Sequence, residues 1–477
     1  MKTTLSTLAA AAALALGGCA QVPTDSHAQT RRDIASAELS ANIKLAKEGW
    51  PQAQWWTAYH DEQLNAIIRQ ALASGPSLEV AAAQIGTARS SLSRSVADLG
   101  VSGAVNGNAN RQRYSGTGLF PAPIGGAYFT EETLRLDLRY NFDWWGKNRA
   151  QVSAAVGELN AGRAEYAEAE QALAAAIAQS YFRLQGAWAR LANTDQLAAT
   201  QTALVQDKAK RIAQGLASAD EQRAAEAELR LTAKQQAALK ADIEHEREAL
   251  RALAGADNAA LAELKPVTLT AAPHALPARL GMELLARRPD LQAARWKLEA
   301  SLSKIDAAKA AYYPDVNLSG SIGLDSVKAE DLLRLASRTL YIGPSVSLPL
   351  FDAKRLDAQL DSARTSRNER IAEYNQTIVE AVREVAQGGA QLQGIEQQIA
   401  QQTAATTLAR AQLASAQKRL EHGLTNNSTV LNARLALLKQ QDADLYLQQV
   451  QLLAEVALTN ALGGGYHEEA PLATVIK

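Results

Sequence analysis

Few residues in this chain stand at spacings that could support catalysis or metal binding. The six histidines show no metal-ligand spacing; they are His27, His60, His245, His274, His422 and His467. Neither a Gly-x-Ser-x-Gly elbow nor a phosphate-binding glycine loop is present. Cys19 is the one cysteine among 477 residues, so no intrachain disulfide, cysteine zinc cluster or thiol catalyst is expected. The sequence therefore predicts a protein that is not an enzyme and that binds no metal or cofactor.

Cys19 does stand where lipid chemistry needs a thiol. Lys2 is followed by an apolar run from Leu5 to Leu16, which is too short to span a bilayer as a helix. The run ends in Leu16-Gly17-Gly18-Cys19, which is similar to the lipobox of bacterial lipoproteins. We expect cleavage before Cys19, an S-diacylglycerol on its sulfur and an N-acyl group on its amine. Because Ala20 replaces the aspartate that usually retains lipoproteins in the inner membrane, the outer membrane is predicted. The alternative is an ordinary secretory signal with a chance cysteine.

The composition excludes several classes of protein. Lysine and arginine total 49 and aspartate and glutamate total 50, and the resulting net charge of -1 argues against a nucleic-acid partner. Aromatic residues make up only 5% of the chain and alanine is abundant, which is typical of long, closely packed helices. No run of eighteen apolar residues follows the leader, so a bilayer crossing would have to use β-strands.

Two long stretches without proline predict two helical hairpins, at about 147–255 and about 353–462. In both stretches apolar residues recur at spacings of three, four and seven, as in a coiled coil. Each stretch is interrupted once, by an Arg-x-x-x-Gly-Leu segment that begins at Arg211 and, 208 residues later, at Arg419. Basic residues followed by glycine are typical of helix ends, so both segments are predicted to be hairpin tips.

Strands are predicted just before each hairpin, at about 101–113 and 132–144, and at about 315–324 and 340–351. In the second of these, leucines and aromatic residues alternate with Arg135, Asp137 and Arg139, which gives one apolar and one charged face. A soluble α+β protein with a half-exposed sheet would show the same alternation. Strands of about ten residues with an apolar outer face are also typical of membrane barrels, in which the three charged residues would face the water-filled lumen. Four strands cannot close such a barrel, so two or three copies would have to share one.

The order helix, strand, loop, strand and long hairpin occurs twice, which predicts two tandem repeats and a mixed α and β fold. We divide the chain into a signal peptide at 1–18, a lipid-anchored segment at 19–60, repeats at 61–265 and 266–465, and a tail at 466–477.

Several residues, in order along this repeat, resemble the outer-membrane factor family of TolC-type channels, in particular its lipoprotein branch in resistance-nodulation-division efflux systems. They are Trp55-Trp56 with Tyr59 and Asp61, Arg287-Arg288-Pro289-Asp290-Leu291, Phe351-Asp352 before Arg355, and the two Arg-x-x-x-Gly-Leu tips. The resemblance implies a homotrimer with a shared twelve-stranded barrel in the outer membrane and a periplasmic tunnel of twelve helices. It implies a passive exit for drugs and toxic compounds, supplied by an inner-membrane pump through a periplasmic adaptor. A type I secretion duct is the alternative within the family, and a structural coiled-coil lipoprotein is the alternative outside it.

The resemblance also implies roles for residues at the tips. The adaptor-docking residues would be Arg211, Gly215, Leu216, Arg419, Gly423 and Leu424. The alternative is that each leucine packs on its own helix in a plain Schellman turn. Past the second tip the family often places two acidic residues at a periplasmic gate, where this chain has Thr429 and Asn432. An acidic ring there is therefore not expected, and Leu431 or helix packing would close the gate. Glu221 holds the comparable place in the first repeat, where it would supply charge or a tip-to-tip hydrogen bond, or would simply begin a helix.

The lipobox is tested by replacing the thiol. We expect Cys19→Ser to abolish lipid labelling and to leave a slower-migrating precursor, because only a thiol accepts the diacylglycerol. Labelled palmitate followed on a denaturing gel measures this directly. Palmitate incorporation into the Cys19→Ser protein would show that the lipobox interpretation is wrong.

Overall fold

A computed structural model describes residues 22–34, 43, 49–255, 261, 263–271, 277, 281–349 and 351–467. The first repeat begins with a short 3₁₀ helix at Trp55–Tyr59, followed by helices α1 (Glu62–Ser74) and α2 (Pro76–Ala97). Strands β1 (Val101–Arg113) and β2 (Tyr128–Asn141) follow, and then the first hairpin of α3 (Lys147–Ala213) and α4 (Ala219–Ala254).

The second repeat has the same order of elements. It contains α5 (Gly281–Arg287), α6 (Pro289–Ala310), β3 (Asp315–Ser326), β4 (Arg338–Ser347), and the hairpin of α7 (Ala353–Glu421) and α8 (Asn427–Ala461). At 1.5 Å per residue, the 67 residues of α3 and the 69 of α7 each make a rod of about 100 Å. No helix among the described residues is both long enough and apolar enough to cross a membrane.

The long helices lie side by side in a single row. Near the sheet the neighbours run α2, α3, α6 and α7, whereas near the tips they run α4, α3, α8 and α7. The predicted coiled-coil positions are buried along these contacts: Ile177, Tyr181 and Leu184 of α3 join one apolar cluster, and Tyr374 and Val385 of α7 join another. Helix α3 therefore occupies the centre of the row, and α7 lies at one edge.

Trp55, Trp56 and Tyr59 belong to the first of these clusters. The ring of Tyr59 meets that of Phe182 edge-on with centroids 4.8 Å apart. Asp61 accepts hydrogen bonds from the first turn of α1 and, at 2.6 Å, from the hydroxyl of Tyr181. These residues fix the start of the first repeat against α3.

The four strands form one antiparallel sheet in the order β1-β2-β3-β4. Residues directly opposite one another in such a sheet share a face. One row across the sheet consists of Val105, Leu136, Ile322 and Leu340, and the next consists of Ala104, Asp137, Ser321 and Tyr341. The alternation predicted for one strand therefore holds in register across all four, which gives the sheet an apolar face and a polar face.

The observed strand ends correct two of the predicted boundaries. Strand β2 covers Tyr128–Asn141 and not 132–144, because Asp143 adopts a left-handed φ of 43°. Its carboxylate then accepts hydrogen bonds from the backbone N–H groups of Asn148, at 2.8 Å, and Arg149, at 2.9 Å, and so caps α3. Strand β4 covers Arg338–Ser347 and not 340–351. Its antiparallel partner β3 begins at Asp315, just after Pro314, and Asp315 pairs with Ser347, so no residue of β3 remains to pair with β4 beyond Ser347.

Two adjacent residues of β3 test the assignment of the faces. Ile322 lies on the apolar face with 56% of its surface exposed, while Ser321 lies opposite Asp137 on the polar face. In hydrocarbon, Ile322→Arg should cost about 2 to 4 kcal/mol per chain near the bilayer midplane. We expect Ile322→Arg to prevent outer-membrane assembly and Ser321→Arg to permit it, as measured by heat modifiability on detergent gels after membrane fractionation. Equal assembly of both variants would contradict a lipid-facing apolar surface.

Candidate docking tips and channel gate

Both hairpin tips have the same backbone geometry. At the first tip, Gly215 has a φ of 70°, its N–H donates to the carbonyl of Ile212 at 2.9 Å, and the N–H of Leu216 donates to that of Arg211 at 2.8 Å. The second tip has equal distances for Gly423 and Leu424, and Gly423 has a φ of 68°. These are Schellman turns, in which the positive φ favours glycine.

The leucine that follows each glycine projects into solvent. Leu216 is 62% exposed and Leu424 is 69% exposed. In many Schellman turns this residue packs against the preceding helix turn, but these two leucines leave most of their surface uncovered. Arg211 donates to the carbonyl of Leu216 at 3.3 Å, so it stabilises the first turn from within.

Polar side chains begin the return helix at each tip. Ser218 accepts from the N–H of Glu221 at 3.3 Å, and Asn426 accepts from the N–H of Thr429 at 3.1 Å. Glu221 forms an ion pair with Lys208 of the same hairpin. The hydrogen bond and charge of Lys208 lower the pKa of the Glu221 carboxyl below its usual value. Glu221 is thus a helix-start carboxylate with a partner in its own hairpin.

The predicted gate residues occupy different positions. Glu221 and Asn432 line one groove of about 480 Å³ between the two hairpins. Thr429 is exposed, and its hydroxyl contacts Asn426 at 3.1 Å. Leu431 is half-buried. The structure therefore places Glu221 and Asn432 along the same groove and Thr429 in the capping turn.

The sequence did not identify the residues that join the two hairpins here. Asp207 of α3 accepts hydrogen bonds from the amide of Asn427, at 3.2 Å, and from the hydroxyl of Ser428 at the start of α8. Further along, the guanidinium of Arg190 binds both carboxylate oxygens of Asp442, at 3.1 and 3.0 Å. We call the Asp207–Asn427–Ser428 contact the tip latch.

The three predicted lumen residues do lie on the polar face of the sheet. Asp137 accepts from the amide of Asn106 at 2.7 Å, and Arg135 donates to Asp325 at 3.3 Å. Gly323 permits the close approach of the two strands here, since a Cβ there would lie 2.5 Å from the backbone oxygen of Leu134 and 2.7 Å from Cγ of Arg135. Arg139 lies opposite Ser102 and Ser319 on the same face.

The predicted lipid-attachment residue, Cys19, lies outside the described residues. Within the described part of the chain, no group of three or more His, Cys, Asp or Glu side chains is placed to hold a metal ion.

Comparison with known proteins agrees with the repeat and the fold. The family model described as outer membrane efflux protein matches residues 67–256 and again residues 280–464. The multidrug resistance outer membrane protein MdtP of Shigella flexneri is 36% identical over 465 residues, which cover 96% of this chain and 95% of that protein.

Two solved structures share the architecture. The outer membrane protein VceC of Vibrio cholerae is 32% identical and has a TM-score of 0.79, with 87% of this chain and 100% of that chain covered. The CmeC outer membrane channel of Campylobacter jejuni is 20% identical, with a TM-score of 0.81 and 94% of each chain covered, and it supports the fold alone. Since the family model matches both repeats and the similarity to MdtP spans nearly the whole sequence, the chain belongs to the outer membrane efflux protein family and is an outer-membrane channel.

Proposed function

We propose that this channel is a homotrimer that forms the exit of a tripartite drug efflux system. The observation that carries the proposal is the two-faced sheet, which continues directly into helices of about 100 Å. A sheet with an apolar outer face suits a bilayer, and helices of that length suit a tunnel across the periplasm. The relatives named for multidrug resistance support drugs and toxic compounds as the cargo. They also favour efflux over type I secretion.

A trimer would account for both the open edges of the sheet and the row of helices. Among the residues that the structure describes, β1 pairs only with β2 and β4 pairs only with β3, so each outer strand has one edge that faces away from the sheet. Three copies would supply twelve strands, joined β4 to β1, and closure would satisfy the backbone groups at those edges. The same three copies would place twelve long helix segments around a central passage.

Aromatic residues at the junction of sheet and helices support the membrane boundary. Trp144 is 65% exposed, Trp145 is 51% exposed and Phe351 is 98% exposed. Exposed aromatic residues of this kind form girdles at the interfaces of membrane barrels. Val22 packs near this junction against the apolar cluster that contains Leu356 and Leu360, and it follows Cys19 by only three residues. The lipid on Cys19 would therefore enter the membrane beside the barrel.

The exposed leucines at the tips are the proposed contacts to a periplasmic adaptor. An apolar side chain in solvent at the end of a rigid hairpin gains stability when a partner covers it. Both tips present this side chain in the same backbone geometry, so one adaptor surface could bind either tip. The tip latch is the proposed restraint on the gate, because it joins the start of α8 to α3.

The docking proposal is tested by Leu216→Ser combined with Leu424→Ser. Loss of an interface anchor costs 2 kcal/mol or more, about thirtyfold in affinity, and six tips per trimer would compound the loss. We expect a normal trimer that no longer crosslinks to its adaptor and no longer supports drug efflux. The control, Leu216→Met with Leu424→Met, keeps the apolar surface and should behave as the wild type. Undiminished crosslinking and resistance in the serine variant would refute the docking role.

The tip latch is tested by Asp207→Ala in purified channels. Hydrogen bonds to a charged group contribute about 1.5 to 3 kcal/mol, so their loss should raise the population of open tips about tenfold or more. We expect a higher conductance in planar bilayers. Asp195→Ala is the matched control, since Asp195 lies on the same helix but binds Gln236 within its own hairpin at 2.7 Å. A conductance that is equal in the two variants would argue against the latch.

A further inference from the structure

A segment near the N-terminus lies in the groove between α6 and α7. We call residues 22–34 the strap. At one end Val22 packs against the apolar cluster that contains Ile305 of α6 and Leu360 of α7. At the other end Ile34 is 3% exposed and belongs to a cluster with Leu291 and Ile378. The strap therefore follows α7 from the sheet end towards the middle of the helix row.

Two asparagine side chains of α7 bind the backbone of the strap. The amide of Asn368 donates to the carbonyl of His27 at 2.9 Å, and its Oδ1 accepts from the N–H of Gln29 at 3.2 Å. Asn375 repeats the pattern, with 3.1 Å to the carbonyl of Thr30 and 2.7 Å from the N–H of Arg32. Each carboxamide thus pairs with a carbonyl and with the N–H two residues later, much as a neighbouring strand would.

The spacing of the two asparagines matches that of an extended chain. Seven residues of a helix rise about 10.5 Å. The bound groups of the strap are three residues apart, from His27 to Thr30 and from Gln29 to Arg32, and three extended residues rise about 10 Å. A slip of the strap by one residue would break all four hydrogen bonds, so the pair of asparagines selects one register.

Charged side chains extend the contact on both sides of the asparagines. Arg364 donates to the carbonyls of Pro23 and Thr24, and Arg367 forms an ion pair with Asp25. Only 9% of Arg364 and 8% of Arg367 are exposed, so the strap covers both guanidinium groups. Further along, the guanidinium of Arg31 lies 4.6 Å from the centroid of the Tyr374 ring.

The first repeat lacks this set of side chains. When α3 and α7 are aligned at their first residues, Lys147 and Ala353, the equivalent positions are 206 residues apart. Arg364, Arg367, Asn368 and Asn375 then correspond to Glu158, Ala161, Gly162 and Ala169, and at the 208-residue offset of the tips they correspond to Val156, Leu159, Asn160 and Ala167. Neither set contains an arginine or an asparagine at the place of Asn375, so the first repeat lacks the complete set.

We propose that Arg364, Arg367, Asn368 and Asn375 form a binding site for an extended polypeptide, and that its ligand is the strap of the same chain. The site holds the strap in one register on α7 and so fixes where the segment that follows Cys19 leaves the helix row. It goes beyond the proposed efflux function and does not depend on adaptor docking or on the tip latch.

The site is tested by trypsin acting on the intact trimer, because the strap contains the adjacent residues Arg31 and Arg32. We expect Asn368→Ala with Asn375→Ala to raise the rate of cleavage there about tenfold or more, since four hydrogen bonds are lost. Mass spectrometry of the released N-terminal peptide measures the rate. Glu369→Ala with Gln376→Ala changes exposed residues of the same helix and should cleave as slowly as the wild type.

A second pair of variants leaves the helix row unchanged. Gln29→Pro removes the N–H group that donates to Asn368 and leaves Arg31 and Arg32 for trypsin, so it should raise the rate of cleavage above that of the wild type. Ala28→Pro, whose N–H faces neither asparagine, should retain protection. Wild-type protection in both the double alanine variant and Gln29→Pro would overturn the proposal.

Discussion

Backbone groups at the two edges of the sheet set the main constraint on this molecule. Strands β1 and β4 each pair on one side within the chain, and hydrocarbon offers no water to hydrogen-bond the other side. The helix row has its edges in the same places, because β1 follows α2 and β4 leads into α7. A single kind of contact between copies would therefore complete both the sheet and the row of helices. In the proposed trimer, each chain supplies one third of the barrel and one third of the helical tunnel.

Local sequence patterns were enough to predict the tips and the faces of the sheet. The Schellman turns at Gly215 and Gly423 depend on a glycine and on backbone bonds within six residues. The alternation around Asp137 reports which face each residue occupies, because side chains in a strand alternate with a period of two. The predicted end of β2 was wrong because Asp143 continues the alternation in the sequence. In the structure, the carboxylate of Asp143 instead caps α3.

Contacts between distant parts of the chain could not be predicted in this way. The tip latch joins residues 220 positions apart, and the bond from Arg32 to Asn375 joins residues 343 positions apart. Asp207, Asn368 and Asn375 each stand in a helix at a polar position, which is also where an ordinary solvated residue would stand. The family resemblance did not single them out either. Only the placement of the helices shows that each of these side chains has a partner.

The two repeats share an order of elements but differ in how their longest helices are covered. Helix α3 has neighbours on both sides and approaches them closely: a Cβ at Gly157 would lie 3.0 Å from Cβ of Ala300, and one at Gly186 would lie 2.6 Å from Cδ of Gln449. At the 208-residue offset of the tips, α7 carries Thr365 and Gly394 at the equivalent positions, and a Cβ at Gly394 would meet no neighbouring residue of the described chain within 4 Å.

An edge helix has fewer neighbours within its own chain, and in α7 the strap covers part of the surface that α3 gives to other helices. Arg364 and Arg367 would be costly to bury between two helices, but the carbonyls of the strap accept hydrogen bonds from both terminal nitrogens of Arg364, and the carboxylate of Asp25 pairs with Arg367. Other helices therefore cover α3, at close approaches that its glycines permit, whereas the strap covers part of α7 in a polar groove. This difference follows from the positions of the two helices, since α3 lies at the centre of the row and α7 at its edge.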